Sequence, residues 1–365
     1  MKVKTLELIN YRNYSHCKIS FADGLNILTG QNAQGKTNLL ESLVYLSLSR
    51  SYRMNEDAKL IQHEKEYGKI SAIYEDESEK NIEAILYPHG KTLLYNHQLV
   101  KKSSEFIGLL NVILFSPDDL SIFQDAPRER RKLINQEITK ISSKYLNSLN
   151  RYQNLLKNRN ILLKEKQVDL NYLDTITEQM IEEASIIIQK RKQFIDQINE
   201  LLTNYYQQLA SEKANLKIKY LSCIEETANP KQALQELFQN NIQRDLETSV
   251  TNVGIHREDI RFELNDVDIT EVASQGQKRM ILLVFKLALL EYIEKNTNKK
   301  AILLLDDVLS ELDDEKQRHL IEMIQNVEQC FITATKIPKI IQNQPYTHYY
   351  VDNGMITKMK EANDE

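Results

Sequence analysis

No run in this 365-residue sequence approaches the ~20 apolar residues needed to cross a bilayer. A protein anchored by a spanning helix is therefore not expected. The start, Met1 to Leu8, lacks a long apolar stretch, so no secretory signal is read there and the expected address is the cytoplasm. Cysteine is scarce and odd in number (Cys17, Cys223 and Cys330). That suits a reducing compartment and offers neither a disulfide framework nor a CxxC metal pair. The seven histidines show no HxxxH spacing, so a protein zinc site is not expected. Basic excess is missing too, with a net charge of −5 and a pI near 5.9. Any nucleic-acid contact must then come from local basic patches. Glycine is rare at nine residues, yet two of the nine fall in one eight-residue stretch.

What is present is an ordinary globular balance, 41% apolar and 27% charged, in a chain long enough for two lobes. Val3–Leu8 and Cys17–Phe21 alternate roughly with period two, as half-buried strands do. Leu25–Thr29 reads as a short apolar strand, and Asn38–Leu48 as the helix after it. Lys69–Tyr74, Ile82–Tyr87 and Val112–Phe115 are further strand candidates. After Pro127, as far as Ala210, glycine and proline vanish. Tyr145, Leu149, Tyr152, Leu156 and Leu163 then follow a 4-3 repeat that Arg159 interrupts. After a polar break at 167–171 a second series runs through Leu173, Ile176, Met180, Ile187, Phe194, Ile198, Leu201 and Tyr205. Two series around one break predict an antiparallel helical hairpin, with its stripes packed in the protein or serving as a partner-binding arm. The fully apolar Ala301–Leu305 suits a buried parallel strand, and Cys330–Thr333 another. The tail, Lys358–Glu365, reads as frayed.

The expected architecture is an α/β head with a helical second lobe carrying the hairpin. Residues 1–115 and 296–365 would form the first lobe, and 116–295 the second.

Between the strand at Leu25–Thr29 and the helix lies Gly30-Gln31-Asn32-Ala33-Gln34-Gly35-Lys36-Thr37, a GxxxxGK(S/T) loop. Its glycines let consecutive N–H groups face phosphates, and the helix that follows points its positive end at the same anion. Lys36 would neutralise the β- and γ-phosphates of ATP, and the Thr37 hydroxyl would ligate Mg²⁺. Such a loop needs a carboxylate for the metal shell. The apolar strand delivers Asp306 for Mg²⁺ and Asp307 to orient or activate the attacking water. Ser274-Gln275-Gly276-Gln277 precedes a strongly apolar helix, Met280–Tyr292. It reads either as a second phosphate cradle or as a helix cap with a turn.

The order of these motifs, followed by Ser310-Glu311-Leu312-Asp313, resembles the ATP-binding-cassette heads of DNA-repair and chromosome-maintenance ATPases. More narrowly, the chain resembles the RecF family of bacterial recombinational-repair proteins, and it does so essentially end to end. The blocks that carry this are Ile9–Tyr14, Ser49–Arg53, Phe115–Leu120, Pro127–Arg131 and Gly254–Asp259. The resemblance implies a composite site, in which Ser274, Gly276 and Gln277 of one subunit close over ATP held by the other, so that ATP holds a homodimer together. It further implies an ATP-dependent DNA clamp acting at single-strand gaps in repair, replication and the SOS response. Mediators of the RecO and RecR type and a RecA-type recombinase would be its partners. Several positions depart from the pattern. Ile255 and Glu258 stand where proline and aspartate are usual, and Asn135 where aspartate is usual. Against the wider cassette superfamily, Ser116 stands where a glutamine is expected, Thr333-Ala334-Thr335 lacks the histidine of transport ATPases, and Asp307 replaces a glutamate. Together they imply a weak, slow ATPase, with DNA expected to stimulate it.

DNA contacts are expected from Arg128, Arg130 and Arg131, and from Arg50 and Arg53 after the P-loop helix. Arginine forks suit phosphate, but pairing with local carboxylates such as Glu129 and Asp125 is the competing reading. Two rival functions are the ATPase subunit of a membrane transporter and a chromosome-tethering protein with coiled-coil arms. The missing histidine and the helical insertion weigh against the first; short arms without a CxxC hook weigh against the second.

Overall fold

The computed structural model describes residues 1–124, 127–342 and 344–360. It begins with β1 (Lys2–Tyr11), β2 (Tyr14–Ser20), β3 (Gly24–Thr29), α1 (Lys36–Leu48), β4 (Gly68–Asp76) and β5 (Ser78–Tyr87). Next come β6 (Gly90–Tyr95), β7 (Gln98–Leu99), α2 (Ser103–Phe106) and β8 (Val112–Phe115). The middle holds α3 (Pro127–Ile141), α4 (Ser143–Leu162), α5 (Leu170–Ala210), β9 (Leu216–Leu221), α6 (Pro230–Thr248), β10 (Asp259–Leu264), β11 (Val267–Asp268) and α7 (Ile269–Val272). The remainder is α8 (Gln275–Thr297), β12 (Ile302–Asp306), α9 (Asp314–Ile324), β13 (Gln329–Ala334), β14 (Thr347–Asp352) and β15 (Met355–Lys360).

Two compact units result. The first comprises Met1–Leu120, Asn204–Lys213 and Ala273–Glu365, and the second Ser121–Thr203 and Ala214–Val272. The sequence reading had put residues 116–295 in one lobe. The structure instead groups α8 with the first unit, where the helix packs on β8.

The first unit has two six-stranded sheets. One is antiparallel, ordered β2-β1-β4-β5-β6-β7. The other is ordered β15-β14-β3-β13-β12-β8, parallel from β14 to β8 with β15 antiparallel at its edge. The α1 helix shares one core with both sheets. Its Leu39, Leu40, Leu43 and Leu46 are buried with Leu6, Leu8 and Ile70 of the first sheet and Leu304 and Phe331 of the second. A helix covered on every side needs apolar residues all round, which is why its pattern is a run more than a stripe. Ile302–Leu305 is fully buried for the same reason. The expected frayed tail is partly corrected, since Lys358–Lys360 belongs to β15; its last five positions, 361–365, lie outside the described residues.

The second unit has a three-stranded antiparallel sheet, β11-β10-β9, with α3, α4, α6 and most of α5. The sequence reading missed β9, β10 and α6. The predicted hairpin is present. Arg159 meets Thr177, Arg151 meets Glu183 and Tyr145 meets Arg191, so α4 and α5 run in opposite directions. Leu173, Ile176, Met180, Ile187, Phe194 and Ile198 are all buried, so the stripe packs within the protein. The break in the repeat has a purpose. Arg159, fully buried, donates to Asp245 (2.7 Å), Thr251 (2.8 Å) and Thr177 (2.9 Å), tying α4 to α5 and to α6 with its following loop. Among the described residues no helix is long and apolar enough to cross a membrane.

Candidate nucleotide site

Two glycines allow the Gly30–Thr37 loop to curl as predicted. Gly30 has φ +153°, and a Cβ there would lie 2.2 Å from the Val351 carbonyl oxygen. Gly35 has φ +118°, and a Cβ there would lie 2.7 Å from Asn13 and 2.8 Å from Tyr14. The loop's carbonyls are held from behind. Asn13 Nδ2 donates to Gln34 O (2.9 Å), the Tyr14 hydroxyl donates to Gly35 O (2.9 Å), and Gly354 N donates to Gln34 O (3.2 Å). Asn353 N also donates to Gln34 Oε1 (2.7 Å). Gly35 caps α1 without a side chain, which leaves the helix's first N–H groups open to an anion. Lys36 Nζ donates to Gly30 O (2.6 Å) and Gln31 O (2.8 Å). Desolvation lowers its pKa against the pull of Asp307 and Asp306.

The acidic pair stands across from the loop, as the sequence implied. Asp306 ends β12 and is buried, whereas Asp307 is exposed with a left-handed backbone, φ +51°. The Thr37 hydroxyl donates to Asp306 Oδ2 (2.9 Å) and lies 3.2 Å from Oδ1. Burial raises the Asp306 pKa, while hydrogen bonds from Thr333 and Thr37 hold the carboxylate form. A hydroxyl and a carboxylate in contact are hard oxygen donors of the kind Mg²⁺ takes beside phosphate oxygens and water. Lys36, Thr37, Asp306, Asp307, Thr333 and Arg53 are among the residues lining a cleft of about 370 Å³. A larger groove of about 920 Å³ lies in the second unit between α5 and β9. No glycine lines it, so it offers no loop of the phosphate-binding kind, and chemistry and not volume selects the smaller cleft.

Arg53, which the sequence offered as a DNA contact, stands at the nucleotide cleft. It lines this cleft, 3.2 Å from Asn38 Oδ1 and 3.9 Å from the buried Glu41. Glu41 also takes a two-pronged contact from Arg12 (2.9 and 2.8 Å) and a hydrogen bond from Ser51 (2.5 Å). The Ser51 hydroxyl in turn accepts from the Arg53 and Met54 N–H groups. Sequence reasoning gave no role to Arg12, Asn13, Tyr14 or Glu41. The only available signal was the Ile9–Tyr14 block itself.

Ser274, Gly276 and Gln277 do not reach the cleft in this chain. They form the first turn of α8, not a loop before it. Ser274 Oγ accepts from Gln277 N (3.2 Å) and Gln277 Oε1 accepts from Ser274 N (3.0 Å), a reciprocal cap. A Cβ on Gly276 would meet nothing nearer than 4.0 Å, so this turn faces open space. The same helix is tied to the first unit by ion pairs from Arg279 to Glu311 and from Lys286 to Asp119.

The arginine cluster divides between the two readings. Arg130 grips Asp259 with two 2.8 Å bonds and donates to Ile122 O (2.9 Å). Arg131 donates to Glu258 O. These two forks serve the protein's own acceptors. Arg128 is exposed, as is Arg50. Glu129 pairs with Lys132, and Asp125 lies outside the described residues.

The family model for the RecF/RecN/SMC N terminal domain matches residues 2–357. The chain belongs to this family. Within it, the chain is 39% identical to the DNA replication and repair protein RecF of Pediococcus pentosaceus, over 99% of this chain and 100% of that one. It is 37% identical to the RecF of Staphylococcus aureus, over 98% and 100%. A solved structure of the recombination mediator protein RecF-ATP of the RecFOR pathway superposes with a TM-score of 0.91. The two are 30% identical, with 98% of each chain covered. An Smc head domain from Pyrococcus furiosus shares the fold alone, with a TM-score of 0.57 at 18% identity, over 98% of this chain and 96% of that one.

Proposed function

We propose that this RecF-type chain is an ATP-dependent DNA-binding protein of recombinational repair and replication. The observation that carries the reading is the Thr37–Asp306 contact at the mouth of a pinned phosphate-binding loop. Gly30–Thr37 would bind the phosphates of ATP, with Lys36 as the counter-charge and Arg53 as a second cation in the cleft. Thr37 and Asp306 would hold Mg²⁺, which when bound screens the phosphates and fixes their orientation. Asp307, exposed beside them, would orient the attacking water.

The exposed first turn of α8, out of reach of its own cleft, supports a homodimer in which Ser274, Gly276 and Gln277 close over the partner's nucleotide. Slow hydrolysis would make ATP a timed clamp on DNA. Exposed Arg128 and Arg50 are the preferred phosphate contacts, at gaps where a mediator helps place a recombinase. The cytoplasm is the matching location. Neither the transporter subunit nor the chromosome tether is favoured beside relatives that match over nearly the full length. Fluorescence anisotropy with duplex, single-strand and junction DNA, with and without ATP, tests the proposal. DNA affinity that is absent, or indifferent to ATP, would overturn it.

A further inference from the structure

We propose that Thr333 is a positioning residue that sets both acidic residues of the nucleotide cleft through one hydroxyl. The proposal rests on the nucleotide reading above and adds a role to a residue noticeable in the sequence only for not being histidine. Thr333 is 1% exposed near the end of β13, directly beside Asp306 in the parallel register of β12 and β13. Its hydroxyl donates to Asp306 Oδ1 at 2.6 Å and accepts from the Asp307 N–H at 2.9 Å. A hydroxyl has one proton to give and lone pairs to accept with. An ionised carboxylate only accepts, so the proton points at Asp306 and the lone pair is left for Asp307.

Each half of this bridge has a distinct consequence. Anchoring Oδ1 to Thr333 turns Oδ2 toward Thr37, the side on which the cleft opens. The bond to the Asp307 N–H fixes the peptide between the two acids, just where the backbone enters a left-handed conformation that non-glycine residues seldom hold. Ser310 Oγ secures the other side of that residue by donating to Asp307 O at 2.9 Å. Without the Thr333 hydroxyl, Asp306 would lose a charge-assisted bond and the Asp307 N–H would lose its acceptor. The metal-holding carboxylate and the water-orienting one would loosen together.

The test uses the full chain and two variants. Thr333→Val keeps the branched shape and removes the hydroxyl, and Thr333→Ser keeps the hydroxyl. ATP binding is measured by equilibrium dialysis, first in EDTA and then across a Mg²⁺ titration, with turnover measured alongside. For Thr333→Val the expected result is unchanged ATP affinity in EDTA, a Mg²⁺ half-saturation raised about tenfold, and turnover lowered about tenfold. Thr333→Ser should restore both to within about twofold of the unaltered protein. A Thr333→Val protein with unaltered Mg²⁺ dependence overturns the proposal, as does a serine variant no better than valine. Loss of ATP binding even in EDTA by Thr333→Val would make the residue a fold element and overturn it as well. If the unaltered chain itself binds no ATP, the nucleotide reading falls first and takes this role with it.

Discussion

Arg130 separates an arginine that holds the protein together from one that holds DNA. Replacing it with glutamine removes two 2.8 Å bonds to Asp259 and one of 2.9 Å to Ile122 O. The Asp259 carboxylate would retain the N–H of Ile260 at 2.8 Å as a donor. Breaking a fully buried ion pair costs about 3–5 kcal/mol. Here the side chains remain 15% and 17% exposed, so water recovers part of the loss and about 2–4 kcal/mol is expected. At roughly 2–4 °C per kcal/mol, the melting temperature should fall by roughly 4–16 °C. Scanning calorimetry measures that, and duplex affinity at several salt concentrations with ATP present measures the other half. The log–log salt slope should not change for folded Arg130→Gln. Arg128→Gln should do the reverse, leaving stability intact and flattening the slope by about 0.9, one phosphate contact. The double variant Arg130→Gln/Asp259→Asn should recover much of the lost stability, because no unpaired carboxylate remains. A normal melting temperature with a flattened slope for Arg130→Gln would refute this reasoning and return that residue to the DNA interface.

Three further outcomes are expected. Lys36→Ala should lose most ATP affinity in equilibrium dialysis, because the polyphosphate loses the cation that the loop carries. Asp307→Asn should bind ATP normally yet turn over at least about tenfold more slowly, a loss of at least about 1.4 kcal/mol in transition-state stabilisation; equal steady-state rates would remove Asp307 from the water-orienting role. Ser274→Arg should leave ATP binding to the monomer intact and abolish ATP-dependent dimers in sedimentation velocity; dimers as stable as those of the unaltered protein would locate the interface elsewhere.

The features legible in the sequence were those written in consecutive residues. The phosphate loop is one continuous stretch with demanding backbone requirements at Gly30 and Gly35. Asp306 and Asp307 stand out because a five-residue apolar strand ends on them. The α4–α5 hairpin showed in its repeat because packed helices impose a period on their own sequence. What stayed hidden depends on distant register. Thr333 meets Asp306 only because β13 lies beside β12, and Arg130 finds Asp259 129 residues away. Glu41 gathers Arg12, Ser51 and Arg53, none of which is a helical neighbour at three or four residues. The extent of the helical lobe was misjudged because α8 is apolar nearly all round and so names no particular face to pack. The strands β9 and β10 carry Lys217, Lys219, Arg261 and Glu263 among their apolar residues, which weakens a signal already short.

The Gly30–Thr37 loop is finished by residues translated long after it. Its entry strand β3 is flanked by β13 and β14, Gly30 is pressed against Val351, and Gln34 is caught by Asn353 and Gly354. A ribosome adding about 5–20 residues per second needs on the order of tens of seconds to travel from one to the other. Throughout that interval the nascent chain carries α1, whose Leu39, Leu40, Leu43 and Leu46 are destined for the core, without the sheet that will cover half of it. Shielding of this helix during synthesis therefore becomes a requirement set by topology, and a chain released before β14 would display the nucleotide signature while lacking the wall that gives it shape.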